Sequence, residues 1–173
     1  MIHLLTPLDL KQLDKLSAGD RVLISGTIYT ARDQAHLRLV KDFNLAFKLE
    51  NAIIYYVGPT PTKPNQVIGS SGPTSSYRMD TLAIPLMERG VKVMIGKGQR
   101  SPSFKAAMLK NNAIYLVTTG GAGALLSSKI KSYKVLMYDD LGAEAVHELV
   151  VENFPCFVAY DLAGNSIFKG GLE

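Results

Sequence analysis

Three short runs, Ala52 to Val57 (AIIYYV), Val91 to Ile95 (VKVMI) and Ala113 to Val117 (AIYLV), are almost wholly apolar. Runs of that length without polar alternation suit strands buried on both faces. Helix-spaced patterns stand between them. Met79, Leu82, Ala83, Leu86 and Met87 keep helical spacing over Thr81 to Arg89, with Gly90 as a stop, and Ser101 caps a second pattern (Phe104, Ala107, Met108) that ends at Asn111-Asn112. Alternating strands and helices predict an α/β layered domain.

The flanks add to this alternation. Thr6-Pro7-Leu8-Asp9 is expected to start a short helix with Thr6 as N-cap, and Arg21 to Tyr29 to form a strand with a bulge at Gly26. Ala35, Leu39 and Val40 keep helical spacing to about Asp42, and Val67-Ile68 reads as a short strand. Thr118 to Gly123 opens a further helix through Leu125, Leu126 and Ile130, with Gly120 to Gly123 as a tight turn; Val135 to Tyr138 is the next strand. Asp140 to Glu144 is a turn, Val146 to Val151 an apolar stretch, and Phe157 to Tyr160 with Ser166 to Phe168 a closing hairpin. No repeat or linker interrupts residues 1–173, so one domain is expected.

Hydrophobic residues at 47% and charged residues at 20% belong to an ordinary globular chain. The net charge is +4, but the 19 Lys and Arg are spread along the sequence, which speaks against a nucleic-acid or anionic-membrane surface. No apolar run approaches the ~18 residues of a membrane span, and no secretory signal opens the sequence, so the default location is cytoplasmic. Cys156 is the one cysteine, which excludes an internal disulfide, a four-cysteine zinc site and a cysteine-held iron–sulfur cluster within this chain.

The segment Gly69 to Asp80 (GSSGPTSSYRMD) leads into the first long helical pattern. It reads either as a helix N-cap, with Thr74 or Ser75 satisfying orphan amides, or as an anion site in which Thr74, Ser75 and Ser76 supply hydroxyls and Arg78 a planar cation. Two further junctions share this design, Thr30 to Asp33 with Arg32 and Gly96 to Arg100 with Lys97. Ligands of open α/β sheets bind beyond the carboxyl ends of strands, so the three junctions can converge on one crevice suited to a compact dianion. Taken singly, each basic residue is equally a solvated surface group. His36 lies one turn after Arg32 and could hold a carboxylate with it, although a helix-face histidine bonded to a neighbour is the commoner arrangement. Gly96-Lys97-Gly98 and Gly120 to Gly123 lack the spacing of known phosphate loops, and no carboxylates or cysteines gather around His3 or His147 to bind a metal.

The ordered motifs Ser25 to His36 (SGTIYTARDQAH), Tyr55-Tyr56-Val57-Gly58-Pro59, Gly72 to Asp80 (GPTSSYRMD), Gly96 to Arg100 (GKGQR) and Leu141 to Ala145 (LGAEA) resemble the β subunit of class I fumarate hydratase. The same family includes the β subunit of L-tartrate dehydratase and the C-terminal domain of class I fumarases. The resemblance implies a swivelling β/β/α layered domain with a mixed sheet. It also implies a hydro-lyase that interconverts fumarate and (S)-malate, with an L-tartrate dehydratase β subunit or a non-catalytic dianion-binding module as alternatives. By the same resemblance a [4Fe-4S] cluster is held by a partner α subunit and not by this chain, and self-association of the lone chain is left open. Carried over by position, Thr74 matches the base that removes the carbon-bound proton, Arg32, Arg78 and Lys97 match carboxylate ligands, and Asp33 and His36 have support roles. Thr74-Ser75-Ser76-Tyr77 stands where family members often have Thr-Thr-Ala followed by another small residue, and Ala143 where methionine is usual.

Overall fold

The computed structural model describes residues 1–118 and 123–168. Its strands and helices run, in chain order, β1 (Ile2–Leu5), β2 (Arg21–Thr30), α1 (Asp33–Leu39), β3 (Ile53–Tyr55), α2 (Asp80–Glu88), β4 (Val93–Gly96), α3 (Pro102–Lys110), β5 (Ile114–Val117), α4 (Gly123–Ser127), β6 (Ile130–Met137) and β7 (Val146–Tyr160). Short 3-10 helices occupy Leu10–Lys15, Ser76–Met79 and Asp139–Glu144.

β1 to β5 lie side by side and parallel, β7 pairs antiparallel with both β5 and β2, and β6 pairs with β7. The pairing of β7 with β2 closes β2, β3, β4, β5 and β7 into a ring, giving a mixed α/β fold on a mixed sheet. Strand alternation sorts the apolar side chains into two cores. Ile53 and Tyr55 of β3, Val93 and Ile95 of β4 and Ile114 and Leu116 of β5 join Ile24, Leu149, Phe154 and Cys156 inside the ring. Their neighbours Ile54, Tyr56, Met94 and Tyr115 face outward and pack under Ala35, Leu39, Ala83, Leu86, Phe104 and Met108 of α1, α2 and α3. Both faces of the three apolar runs are therefore buried, as their lack of alternation predicts.

Several boundaries differ from expectation. Thr6 to Asp9 is not a helix start: the helical turn begins at Leu10, capped by the Asp9 carboxylate, which accepts from the Lys11 N–H at 3.0 Å. Thr6 instead accepts the Thr27 N–H of β2 through its hydroxyl at 2.6 Å, and the preceding residues form β1, which the sequence patterns did not reveal. Val67-Ile68 forms no strand. Ile130 ends no helix but begins β6, because α4 stops at Ser127. Val146 to Tyr160 is one continuous strand of 15 residues, with a lone bridge from Tyr160 to Ser166 in place of the expected two-stranded hairpin. The bulge at Gly26 and the Ser101 cap occur as expected. Of the Gly120 to Gly123 turn, Gly120, Gly121 and Ala122 lie outside the described residues. Among the described residues no helix is long and apolar enough to cross a membrane.

Candidate functional site

Because β2, β3 and β4 are adjacent and parallel, their carboxyl ends lie together. Thr30 pairs with Tyr55, and Tyr55 pairs with Ile95, so the segments after them (Ala31-Arg32, Tyr56-Val57-Gly58 and Gly96-Lys97) leave the ring at one rim. The first and third of the basic junctions are therefore brought to that rim, and hydrogen bonds draw in the second. The Thr74 N–H donates to the Tyr56 carbonyl at 2.9 Å, and the Ser76 N–H donates to the Lys97 carbonyl at 3.1 Å.

Those two bonds define the Gly69 to Asp80 segment differently from a helix cap. Ser75 bridges to Lys97 in parallel as a one-residue extension of the sheet, and its hydroxyl makes no capping bond. Thr74 lies before a 3-10 helix of only 4 residues, and its hydroxyl donates to the Tyr56 carbonyl at 3.2 Å. Ser76 is fully buried and its hydroxyl accepts the Lys97 N–H at 2.9 Å, so it is not free to meet an anion. Of the three hydroxyls expected to face an anion, that of Thr74 is on a partly exposed residue and that of Ser75 on an exposed one, whereas Ser76 faces inward.

The basic residues occupy distinct environments. Arg78, with 54% of its side chain exposed, donates from Nε and Nη2 to the Asp33 carboxylate at 3.1 and 2.7 Å. Burial raises the Asp33 pKa, but the hydrogen bonds and charge of Arg78 outweigh it and hold the carboxyl below its usual range. Arg32 precedes α1 and lies across Gly58, where a Cβ would meet its Nη1 at 2.9 Å and its Cδ at 3.0 Å. The glycine of the Tyr55 to Pro59 motif is thus a slot for a guanidinium, a role that sequence reasoning had not given it. The Arg32 Nε is buried and has no hydrogen-bond partner among the described residues; the nearest acid, Glu144, stands 3.8 Å away. Lys97 is exposed on the turn after β4.

His36 is buried under the rim. Its Nδ1 lies 2.8 Å from the Arg32 carbonyl and its ring meets Tyr56 edge-on, so it touches the backbone of Arg32 and not its guanidinium. Burial pushes its pKa down to about 4 against the opposing pull of that carbonyl, so the ring is neutral at pH 7 and Nδ1 carries the proton it donates.

Arg100, the last residue of the third junction, turns inward. Its side chain is fully buried, ion-paired with Asp80 through Nε, and its guanidinium lies 3.5 Å from the Phe104 ring centre and about 5 Å from those of Tyr56 and Tyr115. No local sequence signal separates Arg100 from the exposed Lys97; the Asp80 carboxylate that compensates it comes from another element.

Arg32, Arg78 and Lys97 outnumber the two carboxylates paired at the rim, Glu144 and Asp33, and the partly exposed Thr74 is tied to the same rim through Tyr56, so the rim suits a small anion. A separate cleft of about 490 Å³ lined by Thr6, Leu8, Thr27, Tyr29, Lys48 and Glu148 includes none of these residues. It sets Glu50 and Glu148 against Lys48 alone, a poor match for a dianion. Among the described residues nothing is arranged to hold an iron–sulfur cluster. Cys156 points into the ring interior with its thiol pushed up by burial, and no three His, Cys, Asp or Glu side chains among the described residues converge to hold a metal.

The family model described as fumarase C-terminus matches residues 1–171. A protein named putative L(+)-tartrate dehydratase subunit beta, from Methanocaldococcus jannaschii, is 38% identical over 169 residues, covering 92% of this chain and 87% of that protein. The aerobic class I fumarate hydratase of Escherichia coli K12 is 36% identical over 166 residues, and fumarate hydratase 2 of Leishmania major 34% identical over 168. The chain spans 30% of the length of each of these two fumarate hydratases.

Proposed function

The chain belongs to the fumarase C-terminus family, and on that premise we propose that it is the β subunit of a two-component iron–sulfur hydro-lyase that interconverts fumarate and (S)-malate. One observation carries the reading: Arg32, Arg78 and Lys97, the three positions matched to carboxylate ligands, belong to one rim of the ring, and Arg32 has a buried Nε without an acceptor. With Glu144 at 3.8 Å, beyond hydrogen-bond reach, that donor is open to a ligand carboxylate, which is the partner this reading assigns it. Residues 1–173 act in this reading as one swivelling domain in the cytoplasm, completed by an α subunit that holds the [4Fe-4S] cluster.

This half binds and handles a proton. Arg32, Arg78 and Lys97 hold the two carboxylates of the substrate, Arg78 by edges that Asp33 orients. In the dehydration direction the Thr74 oxygen takes the proton from the carbon next to the hydroxyl-bearing one. That C–H pair becomes the new C=C bond as the hydroxyl departs on the partner's side. The Thr74 hydroxyl donates to the Tyr56 carbonyl and is neutral there, so in this reading it first releases its own proton to solvent and takes the substrate's proton as an alkoxide. A long helix dipole does not assist it, so the cationic side chains of Arg78 and Lys97 are the groups that favour its anion. As the proton leaves, the same cations stabilise charge spreading into the adjacent carboxylate. In hydration the steps reverse, and Thr74 returns the proton to carbon.

A tartrate substrate is the second reading, favoured by the relative that shares 87% of its own length with this chain and is named as a tartrate dehydratase subunit. The test is anaerobic mixing of this chain with its α partner reconstituted with iron and sulfide. Fumarate is followed by ultraviolet absorbance, and kcat/KM is compared for malate and L-tartrate. Turnover of malate above tartrate is expected; a preference for tartrate transfers the assignment, and no turnover of either sinks it.

A further inference from the structure

The turn Lys97 to Ser101 is tied by five hydrogen bonds to the segment Ser76 to Asp80 or to residues that touch it. The Lys97 N–H donates to the Ser76 hydroxyl at 2.9 Å, and the Lys97 carbonyl accepts the Ser76 N–H at 3.1 Å. The Tyr115 hydroxyl lies 2.9 Å from both the Ser76 hydroxyl and the Gly98 carbonyl. A phenol has one proton, so both contacts are satisfied when Ser76 donates to Tyr115 and Tyr115 donates to Gly98, giving a one-way chain Lys97 to Ser76 to Tyr115 to Gly98. At the far end Asp80 accepts from the Arg100 side chain and, at 2.6 Å, from the Ser101 N–H.

We propose that Ser76, Tyr115 and the Arg100–Asp80 pair are positioning residues that fix Lys97 against the Thr74–Arg78 segment from beneath the site. The inference rests on the function proposed above and deepens it. Each tied segment presents a site residue on its outer side, Lys97 on one and Arg78 on the other, while its inner side is fixed. A long, flexible ammonium and a surface guanidinium can hold a small dianion productively only if their backbones keep a fixed separation. Stability alone gives little reason for a charged pair at this depth, since well-packed apolar residues of similar volume often replace buried ion pairs at no cost. Arg100 is enclosed by Phe104, Tyr56 and Tyr115, so an apolar side chain would be accommodated there. Geometry is what that substitution would lose: the Ser101 N–H and the guanidinium would no longer share one carboxylate.

The test uses the full chain, alone and in the complex with its α partner. Tyr115→Phe keeps the ring and removes only the hydroxyl; the double replacement Arg100→Met with Asp80→Val removes the charges at nearly the same total volume. Both are expected to retain a cooperative unfolding transition. Amide hydrogen exchange at Lys97 in the chain alone should accelerate by roughly tenfold or more, and KM for the dicarboxylate in the complex should rise by a similar factor with a smaller change in kcat. Should the double variant fail to fold, Tyr115→Phe decides. Folded variants with unchanged Lys97 exchange and unchanged KM would overturn the proposal. A wild-type complex without turnover would count against the proposed function and not against this positioning role, which the exchange rates then judge alone.

Discussion

Gly96→Ala puts a methyl group where β4 passes closest to the Ser76 segment. Gly96 does not adopt a positive φ, so backbone strain is absent and the effect is steric. The new Cβ would overlap the Ser76 hydroxyl and stand 2.9 Å from the Tyr56 ring and 3.0 Å from the Ser76 Cβ. Overpacking a core at such distances costs about 1–3 kcal/mol. If Ser76 rotates to make room, the Lys97 N–H and the Tyr115 hydroxyl lose their shared partner, at about 1–3 kcal/mol more. The total of about 4 kcal/mol corresponds, at ~2–4 °C per kcal/mol for a chain of this size, to a Tm lowered by roughly 8–16 °C. Thermal unfolding followed by circular dichroism measures it. Ser76→Gly in the same chain removes the overlap, so the double variant should recover a large part of the Gly96→Ala loss, a coupling of about 1–3 kcal/mol. A Gly96→Ala Tm equal to wild type, or effects that simply add, would refute the close packing between β4 and Ser76.

Acid should destabilise the chain through His36. Its folded pKa of about 4 lies below the ordinary 6.5, so between those values the unfolded chain binds the extra proton and stability falls as pH falls, by up to about 3 kcal/mol. His36→Gln should flatten urea-unfolding free energies over pH 4 to 6.5, and an unchanged slope would show that another group titrates. Arg78→Lys cannot reproduce the two-point contact with Asp33, so kcat/KM in the complex should fall by at least roughly tenfold while the unfolding midpoint of the exposed site barely moves; full activity would remove Arg78 from the carboxylate ligands.

Local signals were sufficient where local chemistry decides the outcome. Ser101 followed by Pro102 starts α3 because a hydroxyl acceptor and a residue without an N–H suit a helix start, and the Phe104 N–H meets that hydroxyl at 3.2 Å. The gathering of Arg32 and Lys97 at one rim was legible for a similar reason: parallel neighbouring strands must end on the same side. β7 was not legible as one strand, because Asn153 at φ 53° and Pro155 look like interruptions; partners on β2, β5 and β6 hold the strand through them. Gly69 to Asp80 looked like a helix approach, yet its N–H groups at Thr74 and Ser76 are satisfied by Tyr56 and Lys97, contacts invisible to periodicity. Arg100 and Lys97 look alike in a glycine-rich turn, and only the Asp80 carboxylate and the rings around Arg100 separate a buried brace from an exposed cation.

In the proposed enzyme this chain supplies the base that moves the carbon-bound proton and the cations that hold the carboxylates, and its partner supplies the iron–sulfur cluster. Thr74→Ala, assembled with the α partner, tests it through the rate at which malate is dehydrated and through malate binding measured by calorimetry. The Thr74→Ala complex is expected to fold, assemble and bind malate through Arg32, Arg78 and Lys97 without turning it over, and Thr74→Ser to restore part of the rate. Undiminished turnover by Thr74→Ala would contradict it.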